Sequence, residues 1–164
     1  MEIRDLYDEN RVLTGETIVK GQKYPNNRKI LVVAIWIQNQ KGEFLIQKRS
    51  EQKDGKWATT GGHPTTGQSS LEGIVTEVQE EIGLDISYEN LALFDTNFDE
   101  KVFCDLYYLK KDVDISNLIL QKEEVSEVKW ATIEEINKLY ELKMFKKSHY
   151  EMFETCLAYL KTRT

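Results

Sequence analysis

The run KILVVAIWIQ, Lys29 to Gln38, is apolar at almost every position and rich in β-branched and aromatic residues, the pattern of a strand buried on both faces. A turn at Asn39 to Gly42 separates it from GEFLIQKRS, which reads as its hairpin partner and ends in the basic pair Lys48-Arg49. Ahead of it, Ile3 to Pro25 mixes short apolar pieces with Asp8-Glu9-Asn10, Gly15 and Gly21, the pattern of short strands around a turn. Further on, Ile86 to Lys111 predicts two strands about a turn at Asp99-Glu100, and EVSEVKWAT predicts another, with Val125, Val128 and Trp130 alternating among polar residues. Thr132-Ile-Glu-Glu135 matches a capping box and should open a helix. Phe153, Cys156, Leu157 and Leu160 stand at helical spacing and predict a C-terminal amphipathic helix. Strands in the middle with helices outside make the fold class α/β.

Between these strands lies GGHPTTGQSSLEGIVTEVQEEIGL, Gly61 to Leu84. A helix starting near Ser69 or Ser70 gathers Leu71, Ile74, Val75, Val78 and Ile82 into a buried stripe within an arc of about 100°, and Gly83 ends it as a C-cap. Glu77, Glu80 and Glu81 fall within another arc of about 100°, while Glu72 projects elsewhere as a surface acid. Such a cluster has two readings. One is a solvated helix face; the other is a site for a hard divalent cation, whose field would offset the like-charge repulsion. Gly61-Gly62 just before the helix favours the second, because a missing Cβ lets backbone carbonyls approach a metal.

Composition narrows the setting. The 164 residues, 40% hydrophobic, suit one domain with a sizeable core, and no linker or repeat divides them. A net charge of −6 argues against nucleic acid as the partner, since phosphate backbones are held by clustered Lys and Arg. Cys104 and Cys156 are far apart and lack metal-ligand spacing, so a reducing cytoplasm is expected. No apolar run approaches the roughly 18 residues of a membrane span.

The Gly61 to Leu84 stretch resembles the Nudix box: Gly, five residues, Glu, seven residues, Arg-Glu, an aliphatic residue, any residue, Glu-Glu, any residue, Gly and an aliphatic residue. Gly62, Glu77, Val78, Glu80, Glu81, Gly83 and Leu84 fill their positions with every spacing kept. Gln68 replaces the usual first Glu and Thr76 the usual Arg, which either leaves the local charge balance intact or weakens catalysis. The opening DLYDENRVLTG, the strands before the box, and SEVKW with its helix resemble the branch related to isopentenyl-diphosphate isomerase. The resemblance implies an α/β/α sandwich around a mixed sheet, with residues 1–164 as a single domain, 1–28 as an N-terminal extension and 62–84 as the box.

The resemblance implies Mg²⁺ or Mn²⁺ bound by Glu77 and Glu81, with Glu80 a further ligand or an aid to the attacking water and the Gly62 carbonyl another ligand. Glu80 and Glu81 would thus be catalytic, and a distal acid, for which Glu124 is favoured over Glu123 and Glu127, would complete the site or act as base. The activity implied is metal-dependent hydrolysis of a nucleoside-diphosphate-linked or related diphosphate small molecule. Its alternative is a catalytically weakened Nudix domain that senses a nucleotide or metabolite. Isomerase activity ranks lower: GGHP resembles the isomerase's Cys-Gly-His-Pro, but Gly61 holds the cysteine's place and cannot protonate a double bond. His63 is a candidate ligand by the same likeness. Lys48 and Arg49, with Arg28, are candidates to hold substrate phosphates. Of Trp36, Trp57 and Tyr107, candidates for stacking on a base, Trp57 is the one expected at the pocket. The expected partner is a phosphorylated small molecule; homodimerisation stays open.

Overall fold

A computed structural model describes residues 2–163. Its first two strands, β1 (Ile3–Tyr7) and β2 (Leu13–Val19), form a separate antiparallel ribbon. The main sheet is built from β3 (Ile30–Gln38), β4 (Phe44–Arg49), β5 (Trp57–Ala58), β6 (Thr60–Gly62), β7 (Ala92–Phe98), β8 (Val102–Lys110) and β9 (Val125–Ala131). The path β5-β4-β3-β8-β7 is joined by β6 on β3 and by β9 on β4. It is a mixed sheet: β3 runs parallel to β8 along its whole length and antiparallel to β6.

Helix α1 (Ser70–Ile82) covers one face; α2 (Ile133–Glu141) and α3 (Lys147–Lys161) cover the other. Strand periodicity explains the sandwich. Val33, Ile35 and Ile37 point to Ile74, Val78 and Ile82 of α1, while Ala34 and Trp36 point the opposite way. There Trp36, Phe44 and Phe153 pack with ring centroids 5.0–5.9 Å apart. The sandwich read from the sequence is the one observed.

Four local expectations change. The β3–β4 hairpin is laddered only at Gln38–Phe44, because further along β6 takes the edge of β3 and β9 that of β4. Residues 86–91 are turn rather than strand: the Asp85 carboxylate accepts from the Ser87 N–H, and Ile86 plugs the α1 core. Leu71 is 49% exposed, and Gly73 takes the buried place in the first turn of α1, where a Cβ would lie 2.5 Å from Pro64. Glu72, expected to be an idle surface acid, closes a capping box with Ser69.

Candidate active site

A cavity of about 720 Å³ opens between the end of the β1–β2 ribbon, the centre of the sheet, α1 and the start of α3. Strand β6 brings the box to it. Gly61 lies so close to β3 that a Cβ would sit 2.7 Å from the Val33 carbonyl oxygen. A cysteine there, as in the isomerase, would clash with the backbone of this chain. At Gly62 a Cβ would come within 2.3 Å of the Glu77 carboxyl, so the missing side chain is the space that carboxyl occupies.

Glu77, Glu80 and Glu81 all line the cavity. Glu80 is exposed; Glu81 is 9% exposed. Glu81 is held by a relay in which the Thr60 hydroxyl donates to Gln47 Oε1 (2.5 Å) and Gln47 Nε2 donates to Glu81 Oε1 (2.7 Å). Burial, then the charge of Glu81 and a hydrogen bond shared with it, push the Glu77 carboxyl up to about 9. Glu81 is also raised, chiefly by burial, against the lowering effect of Gln47 and Glu77. Near neutral pH the pair therefore retains a proton.

Among the described residues no three Asp, Glu, His or Cys side chains converge tightly enough to cage an ion unaided. The fit is to a smaller donor set. Mg²⁺ is commonly held by one or two carboxylates plus water and substrate phosphate, and the close pair Glu77–Glu81 beside the Gly62 backbone could supply that much. The charge conflict inside the pair is what a divalent cation would relieve.

Of Glu123, Glu124 and Glu127, which precede or enter β9, Glu124 alone lines the cavity, paired with Lys53 and acting electrostatically on Glu81. The basic pair divides. Strand alternation sends Arg49, like Gln47, into the cavity, where it also bonds Asp54 at 2.8 Å, whereas Lys48 faces away and does not line it. Arg28 pairs with Glu16 away from the cavity. Trp57 requires correction: it is 5% exposed, packed in the α2/α3 core with Lys129 over its ring, because β5 turns it to the face opposite the acids. Trp36 is likewise core, and Tyr107 shares a hydrogen bond with Ser70 outside the cavity. Among the described residues no Phe, Tyr or Trp lines the cavity.

His63 lines it, and burial, aided by Arg4, pushes its imidazole down to about 4, leaving it neutral. Sequence reasoning missed Gln47, Arg4, Lys20, Lys53, Lys146 and His149, which arrive from four other segments. Arg4 is buried at 7% exposure, a signal visible only after folding.

The model of the NUDIX domain matches residues 28–156. The chain belongs to the Nudix family. It is 40% identical over 145 residues to a Nudix hydrolase of Listeria monocytogenes, covering 85% of each chain. With an isopentenyl-diphosphate Delta-isomerase of Salmonella arizonae it shares 25% identity over 144 residues, covering 80% of this chain and 77% of the other. A crystal structure from Deinococcus radiodurans superposes with a TM-score of 0.79 at 20% identity, covering 94% of this chain and 99% of that one. The protein is thus an enzyme of the Nudix type.

The two departures from the Nudix box meet in space. Gln68 Nε2 donates to Thr76 Oγ1 at 3.1 Å, and Gln68 Oε1 accepts from the Thr65 N–H at 2.8 Å. A neutral hydrogen bond stands where the family pattern has an acid and an Arg, tying the loop to α1 one residue before Glu77. Gln68→Ala and Thr76→Val should each cost about 1 kcal/mol, and the double variant little more than the larger single. Urea denaturation of the four proteins checks this; fully additive losses would show that the two side chains do not act as a pair.

Proposed function

We propose that this Nudix enzyme hydrolyses the diphosphate linkage of a nucleoside-diphosphate-linked or related small molecule, with Mg²⁺ or Mn²⁺ as cofactor. The observation that carries the reading is the Glu77–Glu81 pair, two close carboxyls beside Gly62 that share a hydrogen bond in a cavity also lined by Arg4, Lys20, Arg49, Lys53 and Lys146. Glu77, Glu81 and the Gly62 carbonyl would hold the ion, which when bound neutralises diphosphate charge and lowers the pKa of water. Gln47 keeps the Glu81 carboxylate in one orientation. Glu80, exposed to the cavity, is placed to add a further contact or to orient the attacking water. Glu124 is the proton-accepting candidate, ion-paired with Lys53 until substrate draws that lysine away. Arg49 meets a substrate phosphate.

Residues 2–27 belong to the same working unit on this reading, because Arg4 and Lys20 of the N-terminal ribbon line the cavity beside His63. Two free, buried cysteines fit a cytoplasmic setting, and no helix among the described residues is long and apolar enough to cross a membrane. The clash at Gly61 argues against isomerisation.

A panel of nucleotide and diphosphate substrates with Mg²⁺, Mn²⁺ or chelator is the test. Metal-dependent release of phosphate or nucleotide, lost in Glu81→Gln, is the expected result. Ligand binding with no turnover of any member would favour the sensor, and product from isopentenyl diphosphate would favour the isomerase.

A further inference from the structure

The wall of the cavity facing the acids carries more positive charge than the sequence motif accounts for. Arg49 and Lys53 come from the end of β4 and the loop after it, and Lys146 and His149 from the start of α3. Arg49 is matched by Asp54 and Lys53 by Glu124. Lys146, half-buried, has no ion-pair partner among the described residues, although its charge is felt together with those of Arg49 and Lys53. Burial and these two neighbours lower its pKa; Asp54 offsets them only in part. A half-buried ammonium held beside two other cations without a counter-ion is costly unless an anion joins it.

His149 adds a directed donor. The Thr59 backbone N–H donates to its Nδ1 at 3.2 Å, so that nitrogen carries no proton and the neutral ring must carry it on Nε2. Burial first, then Lys146 and Arg49, push this imidazole down to about 3, which keeps it neutral throughout the working pH range. No partner for Nε2 exists among the described residues, and the ring lines the cavity.

We propose that Lys146 and His149 bind a phosphate group of the substrate together with Arg49 and Lys53, forming a cradle opposite the Glu77–Glu81 pair. The inference rests on the diphosphate reading of the cavity for its substrate but not for its test. The cradle fits one end of a diphosphate: three cations supply charge, and the His149 Nε2–H supplies one oriented hydrogen bond. Glu151, also in the cavity wall on α3, sets a limit on how far the anion extends along that helix. The absence of aromatic side chains from the described wall agrees with recognition through phosphate rather than through a stacked ring.

Inorganic pyrophosphate, titrated into the metal-free full-length protein by calorimetry, is the probe. Lys146→Met should weaken binding roughly tenfold, the scale of one charge-assisted contact, while Lys147→Met, the same charge change on an exposed neighbour outside the cavity, should change it less than twofold. In the unmutated protein, nitrogen-15 NMR should report the Nε2–H tautomer of His149 and a shift of that signal on adding pyrophosphate. Equal losses in the two lysine variants, or an unmoved His149 signal, would overturn the cradle. Turnover plays no part in these measurements, so failure of the hydrolase reading would appear separately, as binding without hydrolysis.

Discussion

Glu77→Gln is expected to cut metal-dependent turnover sharply and, in metal-free buffer, to raise the melting temperature. The two effects have one origin. Burial, with Glu81 close by, holds the Glu77 carboxyl at about 9 against an ordinary 4.5, so the folded state binds this proton more tightly than the unfolded chain does. Its contribution to stability is fully present below pH 4.5 and is lost as pH rises through about 9. Metal-free protein should therefore become less stable between pH 6.5 and 9. His63 and His149 add no opposing slope there, because their depressed values cost stability only as pH falls below 6.5. Glutamine cannot ionise, keeps the volume, and should flatten the slope. Activity should fall about a hundredfold or more, because Glu77 is a proposed ligand whose charge would offset that of the cation. Thermal melts at several pH values with chelator, compared with initial rates in Mg²⁺, decide the matter; an unchanged pH slope in the variant would remove Glu77 as the buried acid responsible.

Arg11→Ala should cost about 3–5 kcal/mol, because it removes the charged partner of a buried carboxylate. Arg11 donates to both Asp105 oxygens, at 2.7 and 2.6 Å, and Asp105 is 1% exposed. Burial alone would raise the Asp105 carboxyl; hydrogen bonds from Arg11, Ser70 and Thr96 more than offset it and hold the group below its ordinary value. Removing the guanidinium leaves a buried carboxylate with hydroxyl donors alone. Asp105→Asn in the same background should recover part of the loss, because a neutral amide costs less to leave half-satisfied. Urea denaturation of both variants measures this, and a loss under about 1 kcal/mol for Arg11→Ala would mean the pair is dispensable. Function should follow stability, since Arg11 joins the β1–β2 ribbon to β8 and that ribbon carries Arg4 and Lys20 into the cavity.

The elements were legible in the sequence where one local pattern served one local cause. The β3 run, the Thr132 capping box and the Gly83 C-cap stand where their residues predict them, since each depends on neighbours within a few positions. The box was legible for the same reason: Glu77 and Glu81 are one helical turn apart on any helix. The box acids of the cavity and Glu124 were thus named from sequence, whereas Glu151 and most of the cations were not.

Sequence by itself determined the α/β order, the acid face of α1 and the glycine beneath it, because helix and strand periodicities are properties of the backbone. Tertiary structure alone decided which basic and aromatic residues meet that face. Lys48 and Arg49 are adjacent in sequence, and the strand sends one out of the cavity and the other in. Trp57 lies close before the box, yet sheet pairing turns it into the core. Lys146 and His149 lie far along the chain from Arg49, and only the docking of α3 on the sheet brings them to the same wall. Gln68 and Thr76, two departures from the motif when read in line, become one hydrogen-bonded pair once the loop folds back on the helix. In each case the deciding quantity is a through-space distance set by packing, which spacing along the chain does not encode.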